Sequence, residues 1–392
     1  MSEKKILMLG GAHSQIPAIK YAKFKGYNVI TCDYLPSNPG HNYADRYYNV
    51  STTDLPGVLK LAKELNIDGI VAYASDPSAP AAAYVSDALD LPGPSYEAVK
   101  ILSEKDLFRG FLKEHGLNSP KYYSIKSEKD SKLVDISFPC FVKPVDSSGS
   151  KGVSKVDDFP ELNNAINQAL QFSRCKRVIV EENVETPFKQ VHGDGFVYEG
   201  ELVFLGLCDH HFNGNAPIGN TFPTILDSLK IQQIKKEVAK AIKFSGFLQG
   251  AINVEVRINP EGEIVIMEIG PRSGGNYVPQ LMECGTGFDE VGAIIDAAVG
   301  KKPKLNTRKE INYCFQYILG TKRAGVFHGI SFSEAIKGKI KKQYLHREEG
   351  DKVYSYKNSS NVIGVFIIQC NNANDLEETF KGIENQIKLK IK

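Results

Sequence analysis

The chain has 392 residues, 42% of them hydrophobic and 24% charged, and a formal net charge of +2. That length exceeds one compact core and predicts two or three domains, and the composition excludes a disordered chain. No apolar run reaches membrane-spanning length, no signal pattern precedes the first strand, and basic and acidic residues are interspersed, so the expectation is a cytoplasmic protein with neither membrane nor nucleic acid as partner.

In chain order, Lys5–Leu9 is a continuous apolar run ending at Gly10-Gly11, the pattern of a buried parallel strand and a tight turn. A helix is predicted over 14–25, a strand over 28–32 ending at Asp33, a helix over 55–65 and a strand over 69–73. This alternation predicts a doubly wound α/β unit that ends near Pro94, in Leu91-Pro-Gly-Pro. Two helical stretches follow to Pro120, the second over 103–115 with Ser103 as its N-cap. Hairpin strands are then predicted at 140–143, 152–156, 177–182, 195–198 and 201–209, with helices over 159–170 and 228–244. A hairpin spans 250–270, a helix 288–299, a strand 362–369 and a final helix 374–387. Seven cysteines, from Cys32 to Cys370, form no C-x-x-C pair and fit buried thiols in a reducing compartment.

The 250–270 hairpin carries the strongest chemical signal. With Asn259-Pro-Glu-Gly262 as a four-residue turn, Ile258 pairs with Glu263, and Asn253, Glu255 and Glu268 share one sheet face. Glu255 and Glu268 are then diagonal neighbours, roughly 7–8 Å apart. Two carboxylates on an otherwise apolar face repel and call for a cation between them; Mg2+ fits, because it combines a few carboxylates with phosphate oxygens, and Mn2+ can substitute. A solvent-exposed face would make them ordinary surface acids. The turn that follows, Gly270-Pro-Arg-Ser-Gly-Gly-Asn276, sets Arg272 among glycines, which suits a site that handles phosphate or carboxylate.

Upstream, Phe141-Val-Lys143-Pro144 leads into Asp146-Ser-Ser-Gly-Ser-Lys-Gly152. This loop is rich in small residues (Ser147, Ser148, Gly149, Gly152) and suited to folding over nucleotide phosphates beside Lys143. It lacks the Walker A spacing, and an ordinary hairpin tip looks similar. The strand 177–182 ends in Glu181-Glu182-Asn-Val184, where backbone groups can meet a nucleobase edge.

The order of these motifs, from Lys105 through Val-Lys-Pro, the Ser/Gly loop and Val-Glu-Glu to the paired acids ending Met-Glu-Ile-Gly-Pro-Arg, resembles the ATP-grasp superfamily along essentially the whole chain. Within it, the chain resembles carbamoyl-phosphate-synthase-like, phosphoribosylglycinamide-synthetase-like and L-amino acid ligases. The resemblance implies a fold of mixed α/β and α+β class. Residues 1–94 would form a doubly wound preATP-grasp domain, 95–300 a two-lobed ATP-grasp domain, and 301–392 a small C-terminal α+β segment completing a lobe.

The resemblance also assigns roles. Lys105 and Lys143 match the nucleotide-phosphate lysines, Ser147–Gly152 the mobile phosphate loop, and Glu181, Glu182 and Val184 the adenine hinge. Glu255 and Glu268 match the metal carboxylates and Arg272 the arginine facing an acyl phosphate. The implied activity is ATP- and Mg2+-dependent joining of a small carboxylate to an amine, commonly by a homodimer. Two departures stand out: Gly270 replaces the usual third metal ligand, for which Asn253 or water is the expected substitute, and Phe188-Lys189-Gln190 replaces an acid that binds ribose. They motivate an alternative, a catalytically silent nucleotide-binding protein. A second alternative is a nicotinamide-dependent oxidoreductase using the Gly10-Gly11-Ala-His13-Ser-Gln15 turn, although G-x-G-x-x-G is not met and Asp33 is a moderate match to the usual acid. In the ligase reading this turn serves the second substrate, with His13 and Asp76 at neighbouring strand ends.

Overall fold

In the computed structural model, which describes residues 3–214 and 216–392, four short parallel strands come first. Their spatial order is Arg46–Tyr48, Asn28–Cys32, Lys5–Leu9 and Gly69–Val71. Ile6 and Met8 pack with Ala18, Ile19 and Ala22 of helix Ile16–Phe24 on one face. Leu7 and Leu9 pack with Val58, Leu61 and Ala62 of helix Leu55–Leu65 on the other. A strand apolar on both sides is stable only when helices cover both faces. Helix Glu290–Ala298, distant in sequence, joins the first of these layers through Val291, Ile295 and Ala298.

Helices Tyr96–Ser103 and Lys105–Glu114 follow in series. Ser103 is not the cap of the second helix. It ends the first, which Ser95 caps by accepting the Ala98 N–H at 3.2 Å, and Glu104 occupies the junction. A second sheet of four strands runs Tyr122–Ile125, Val178–Glu182, Cys140–Pro144, Ser154–Val156. Leu162, Ile166 and Ala169 of helix Phe159–Phe172 bury its inner face.

The largest sheet has eight strands: Ile264–Gly270, Gly250–Ile258, Val191–Tyr198, Glu201–Asn213, Ala216–Phe222, Tyr313–Leu319, Gly364–Cys370 and Ile340–Leu345. Along Gly250–Ile258 the even-numbered Ile252, Val254, Val256 and Ile258 pack under Ile234, Val238 and Ile242 of helix Ser228–Ser245. Asn253, Glu255 and Arg257 therefore face the other way, towards the second sheet. The end of the chain departs from the expected single helix: Ala373–Lys381 and Ile383–Gln386 are helical, and Ile387–Ile391 is a strand. Its apolar–lysine alternation, Ile387, Leu389 and Ile391 against Lys388 and Lys390, is the period of a strand.

Candidate active site

The carboxylate hairpin forms with a corrected register. Ile258 pairs with Ile264, Glu255 with Glu268 and Asn253 with Gly270. Two local features shift the expected pairing. Asn259 and Glu263 close a five-residue turn, with the Asn259 N–H on the Glu263 carbonyl at 3.1 Å and the Glu263 N–H on Asn259 Oδ1 at 2.7 Å. A bulge then places Met267 opposite no residue of its own. The two acids are therefore directly opposite rather than diagonal, and Asn253 faces Gly270 rather than Glu268. Burial pushes the Glu255 carboxyl above its ordinary value and the Glu268 charge pushes it further, while His192, Lys143 and Arg272 pull it down. Its one hydrogen-bond donor among the described side chains is Gln190 Nε2, at 3.0 Å from Oε2.

This donor set fits a hard divalent ion. Two opposed, poorly compensated carboxylates supply charge. No group of three His, Cys, Asp or Glu gathers among the described residues, which leaves further positions to phosphate oxygens and water. Asn253, expected as a further ligand, is heavily engaged: its Nδ2 donates to Asp194 Oδ1 at 2.7 Å and to the Gly193 carbonyl at 3.0 Å, and its Oδ1 lies 3.2 Å from His192 Nε2.

Across the cleft, Lys143 is paired with Glu181, whose other oxygen accepts from Arg109 Nε at 3.1 Å. Burial alone would raise the Glu181 carboxyl; the two cations hold it at about 2 instead. The Glu181 side chain is thus a counter-ion to Lys143 and Arg109. Arg109 also donates through Nη2 to the Met267 carbonyl at 2.8 Å, the carbonyl that the bulge presents. One fully buried arginine therefore ties Lys143's partner to the hairpin bearing Glu255 and Glu268. Lys105 Nζ donates to the Ser147 carbonyl at 2.9 Å, at the start of the Ser/Gly loop. In that loop Gly149, Ser150 and Gly152 all have positive φ. A side chain at Gly152 would strike Phe172 and Pro144. Glu182 accepts the Lys121 N–H at 2.8 Å, and the Val184 carbonyl accepts from Arg257 at 2.7 Å.

Arg272 extends from the glycine-rich turn and grips Asp76 with Nε and Nη2, at 2.6 and 2.8 Å. Nη1 donates to the Ser273 carbonyl at 2.8 Å. A guanidinium has five N–H groups, so one on each terminal nitrogen stays free for a ligand. The Ala74 N–H donates to Ser273 Oγ at 3.2 Å, a second tie between the first sheet and this turn. Below it Asp194 accepts the Gly274 N–H on both oxygens, at 2.9 and 3.0 Å. His192 Nδ1 then lies 3.2 Å from Asn220 Oδ1, Asn220 donates to Gln316 at 2.5 Å, and Gln316 donates to the Asn276 carbonyl.

Sequence reading missed this supporting row. His192 and Asp194 alternate on one face of Val191–Tyr198, which is a strand signal, but Gly193 lies between them and the predicted strand starts only at Gly195. The glycines have a packing cause: a side chain at 193 would lie 2.1 Å from the Gly206 carbonyl of the neighbouring strand. Arg109 carried no signal, since a helical Phe-Arg-Gly reads as a solvated face.

The turn after the first strand is not built for a dinucleotide. Asp33 is tied up locally by the Gly11 N–H at 3.1 Å and Asn38 Nδ2 at 2.7 Å, and the His41 ring fills the space beside Gly11 that a pyrophosphate would need. The oxidoreductase alternative is set aside on this ground.

A model of the ATP-grasp domain matches residues 136–280. The chain is 32% identical over 276 residues to formate-dependent phosphoribosylglycinamide formyltransferase of Prochlorococcus marinus, covering 69% of this chain and 70% of that protein. It is 27% identical over 228 residues to a carbamoyl phosphate synthase large chain of Thermoanaerobacter, covering 56% of this chain but only 20% of that one. Among solved structures, phosphoribosylglycinamide synthetase of Anaerococcus prevotii superposes at a TM-score of 0.82 with 24% identity over both whole chains. L-amino acid ligase of Bacillus licheniformis does so at 0.82 with 20% identity, again over both whole chains. The chain belongs to the ATP-grasp family of enzymes.

Proposed function

We propose that the chain is an ATP- and Mg2+-dependent ligase that activates a carboxylate as its acyl phosphate and couples it to an amine, releasing ADP and phosphate. The observation that carries this reading is electrostatic convergence. Glu255 and Glu268 stand directly opposite each other with Gln190 as the side-chain donor to Glu255, and the Lys143 and Arg272 charges favour the ionised Glu255. A site with cations on one wall and paired acids on the other suits a polyphosphate with its metal.

In this reading Lys105 and Lys143 offset the charge of the triphosphate, and the loop Ser147–Gly152 folds over it and excludes water. Glu255 and Glu268 hold the divalent ion, which when bound neutralises charge on the phosphate oxygens; Mn2+ can replace Mg2+. A carboxylate oxygen attacks the γ-phosphorus as the bond to ADP breaks. The neutral amine then attacks the acyl carbon, phosphate departs with the bonding electrons, and the proton the nitrogen loses passes to the departing phosphate. The two free N–H groups of Arg272 stabilise charge on the acyl phosphate oxygens. We also propose the domain division 1–94, 95–300 and 301–392, small-molecule substrates with an amino-acid-like partner among them, and a homodimer. The test is phosphate release across a grid of carboxylates and amines with ATP and Mg2+. ADP and phosphate formed only with a carboxylate present support the reading. Nucleotide binding without ADP release from any combination marks a silent nucleotide-binding protein instead.

A further inference from the structure

A cavity of about 690 Å3 opens where Gly325–Phe332 and Ile340–Leu345 meet the turn after the first strand. Phe327, Ile330, Phe332 and Leu345 line its apolar part. One wall is a stacked imidazole pair, His13 on His346, with ring centroids 4.3 Å apart. Burial holds both imidazoles below their ordinary value, reinforced at His346 by His13 and at both rings by the Arg347 charge, which favours the neutral form of the stack. The rim sets one guanidinium, Arg347, against the carboxylates of Glu348, Glu349 and Asp351. Arg347 already donates to the carbonyls of His346 and Ser360, each at 2.8 Å. The rim is therefore net acidic.

Behind the stack stands Tyr277. Its hydroxyl donates to the His13 carbonyl at 3.1 Å and lies 2.9 Å from His346 Nε2, and its ring stacks on Tyr344 at 3.8 Å. Tyr277 follows the glycine-rich turn that carries Arg272, and it holds φ at +67°, which a bulky residue adopts only where its surroundings force it. The residue that follows the glycine-rich turn is thus hydrogen-bonded to both members of the stack that lines the cavity. The cavity volume lies in the range of small-molecule sites, roughly 300–1,000 Å3.

We propose that this cavity seats the body of the amine substrate, a primary amine bearing an apolar group of about ring size. The inference rests on the ligase reading above and names the class of its nucleophile. The acidic rim attracts the ammonium form, the Phe327 and Phe332 rings accept a cation or an apolar group, and the neutral imidazole stack offers a flat face. The same rim disfavours a carboxylate here; that substrate has Arg272.

Phenethylamine is the probe, titrated calorimetrically into the full chain with ADP and Mg2+ present. One site is expected in the wild type, weakened about tenfold or more both in Ile330→Trp, which fills the cavity, and in the charge-reversing Glu349→Lys. No binding to the wild type, or equal binding to all three proteins, overturns the proposal. Hydroxylamine, too small to need the cavity, tests the ligase reading separately by trapping the acyl phosphate as a hydroxamate. Where hydroxamate forms, the ratio of kcat/KM for phenethylamine to that for hydroxylamine falls about tenfold or more in both variants. An unmoved ratio overturns the cavity assignment and leaves the ligase reading standing. If no carboxylate gives hydroxamate, the ligase reading fails, and the calorimetry still decides whether the cavity takes amines.

Discussion

The lysine-bearing sheet and the carboxylate hairpin face each other but treat their charges in opposite ways. On the sheet, Lys143 and Arg109 share the one carboxylate of Glu181, so that wall holds its cations in place and keeps a net positive charge. On the hairpin, Glu255 and Glu268 oppose each other with Gln190 as the donor to Glu255, so that wall lacks positive charge. Cations anchored by a buried counter-ion are fixed in position, whereas opposed acids without one are open to a metal ion. The contrast teaches which residues are expected to fail by unfolding and which by losing activity.

Arg109 should give the largest effect, because its loss strips a buried donor from both Glu181 and the Met267 carbonyl and leaves Lys143 as the only cation on Glu181. Arg109→Met is expected to cost about 3–5 kcal/mol in denaturant unfolding. A loss under about 1 kcal/mol would mean that Arg109 does not complete the lysine wall. Glu268→Ala should do the reverse: fold normally and lower kcat for ADP formation by roughly 10²–10³. Near-normal turnover would remove the hairpin from the site.

Acid sharpens the same contrast. The Glu181 carboxyl sits at about 2 in the fold against an ordinary 4.5. A depressed carboxyl adds stability above its unfolded value and loses it as pH falls towards the folded one. On the order of 3 kcal/mol should therefore disappear between about pH 5 and pH 2 in the wild type and be absent from Glu181→Gln. Parallel pH curves for the two proteins would contradict the pairing. The smallest effect is expected at the clasp between Asp76 and Arg272. Asp76→Asn keeps the shape but loosens the fork, and kcat/KM for the carboxylate should drop about tenfold. An unchanged value would show that Arg272 needs no help from the first sheet.

How much of this was legible in the sequence follows from how local each determinant is. The alternation of Asn253, Glu255 and Glu268 with apolar neighbours puts the acids on one face, and that survives. The register does not, because a five-residue turn closed by Asn259 and a bulge at Met267 depend on backbone bonds that a spacing rule cannot see. The strands Ala216–Phe222 and Tyr313–Leu319 were missed, and so was the His192–Asp194 row, masked by glycines whose cause lies on adjacent strands. The longest-range determinants were the least visible. Asp76 and Arg272 lie 196 residues apart, and Arg109 and Met267 158, so only folding brings each pair together. Of the charged residues singled out, Glu181 gains the role least visible in the sequence, that of a buried counter-ion.

Divalent-ion binding in the presence of ATP tests the central claim most directly. Mn2+ titrated against the full chain and followed by electron paramagnetic resonance should bind the wild type and bind Glu255→Gln/Glu268→Gln about 100-fold more weakly or worse. Equal Mn2+ affinity in the two proteins, with both folded, would contradict the assignment of these carboxylates to the metal.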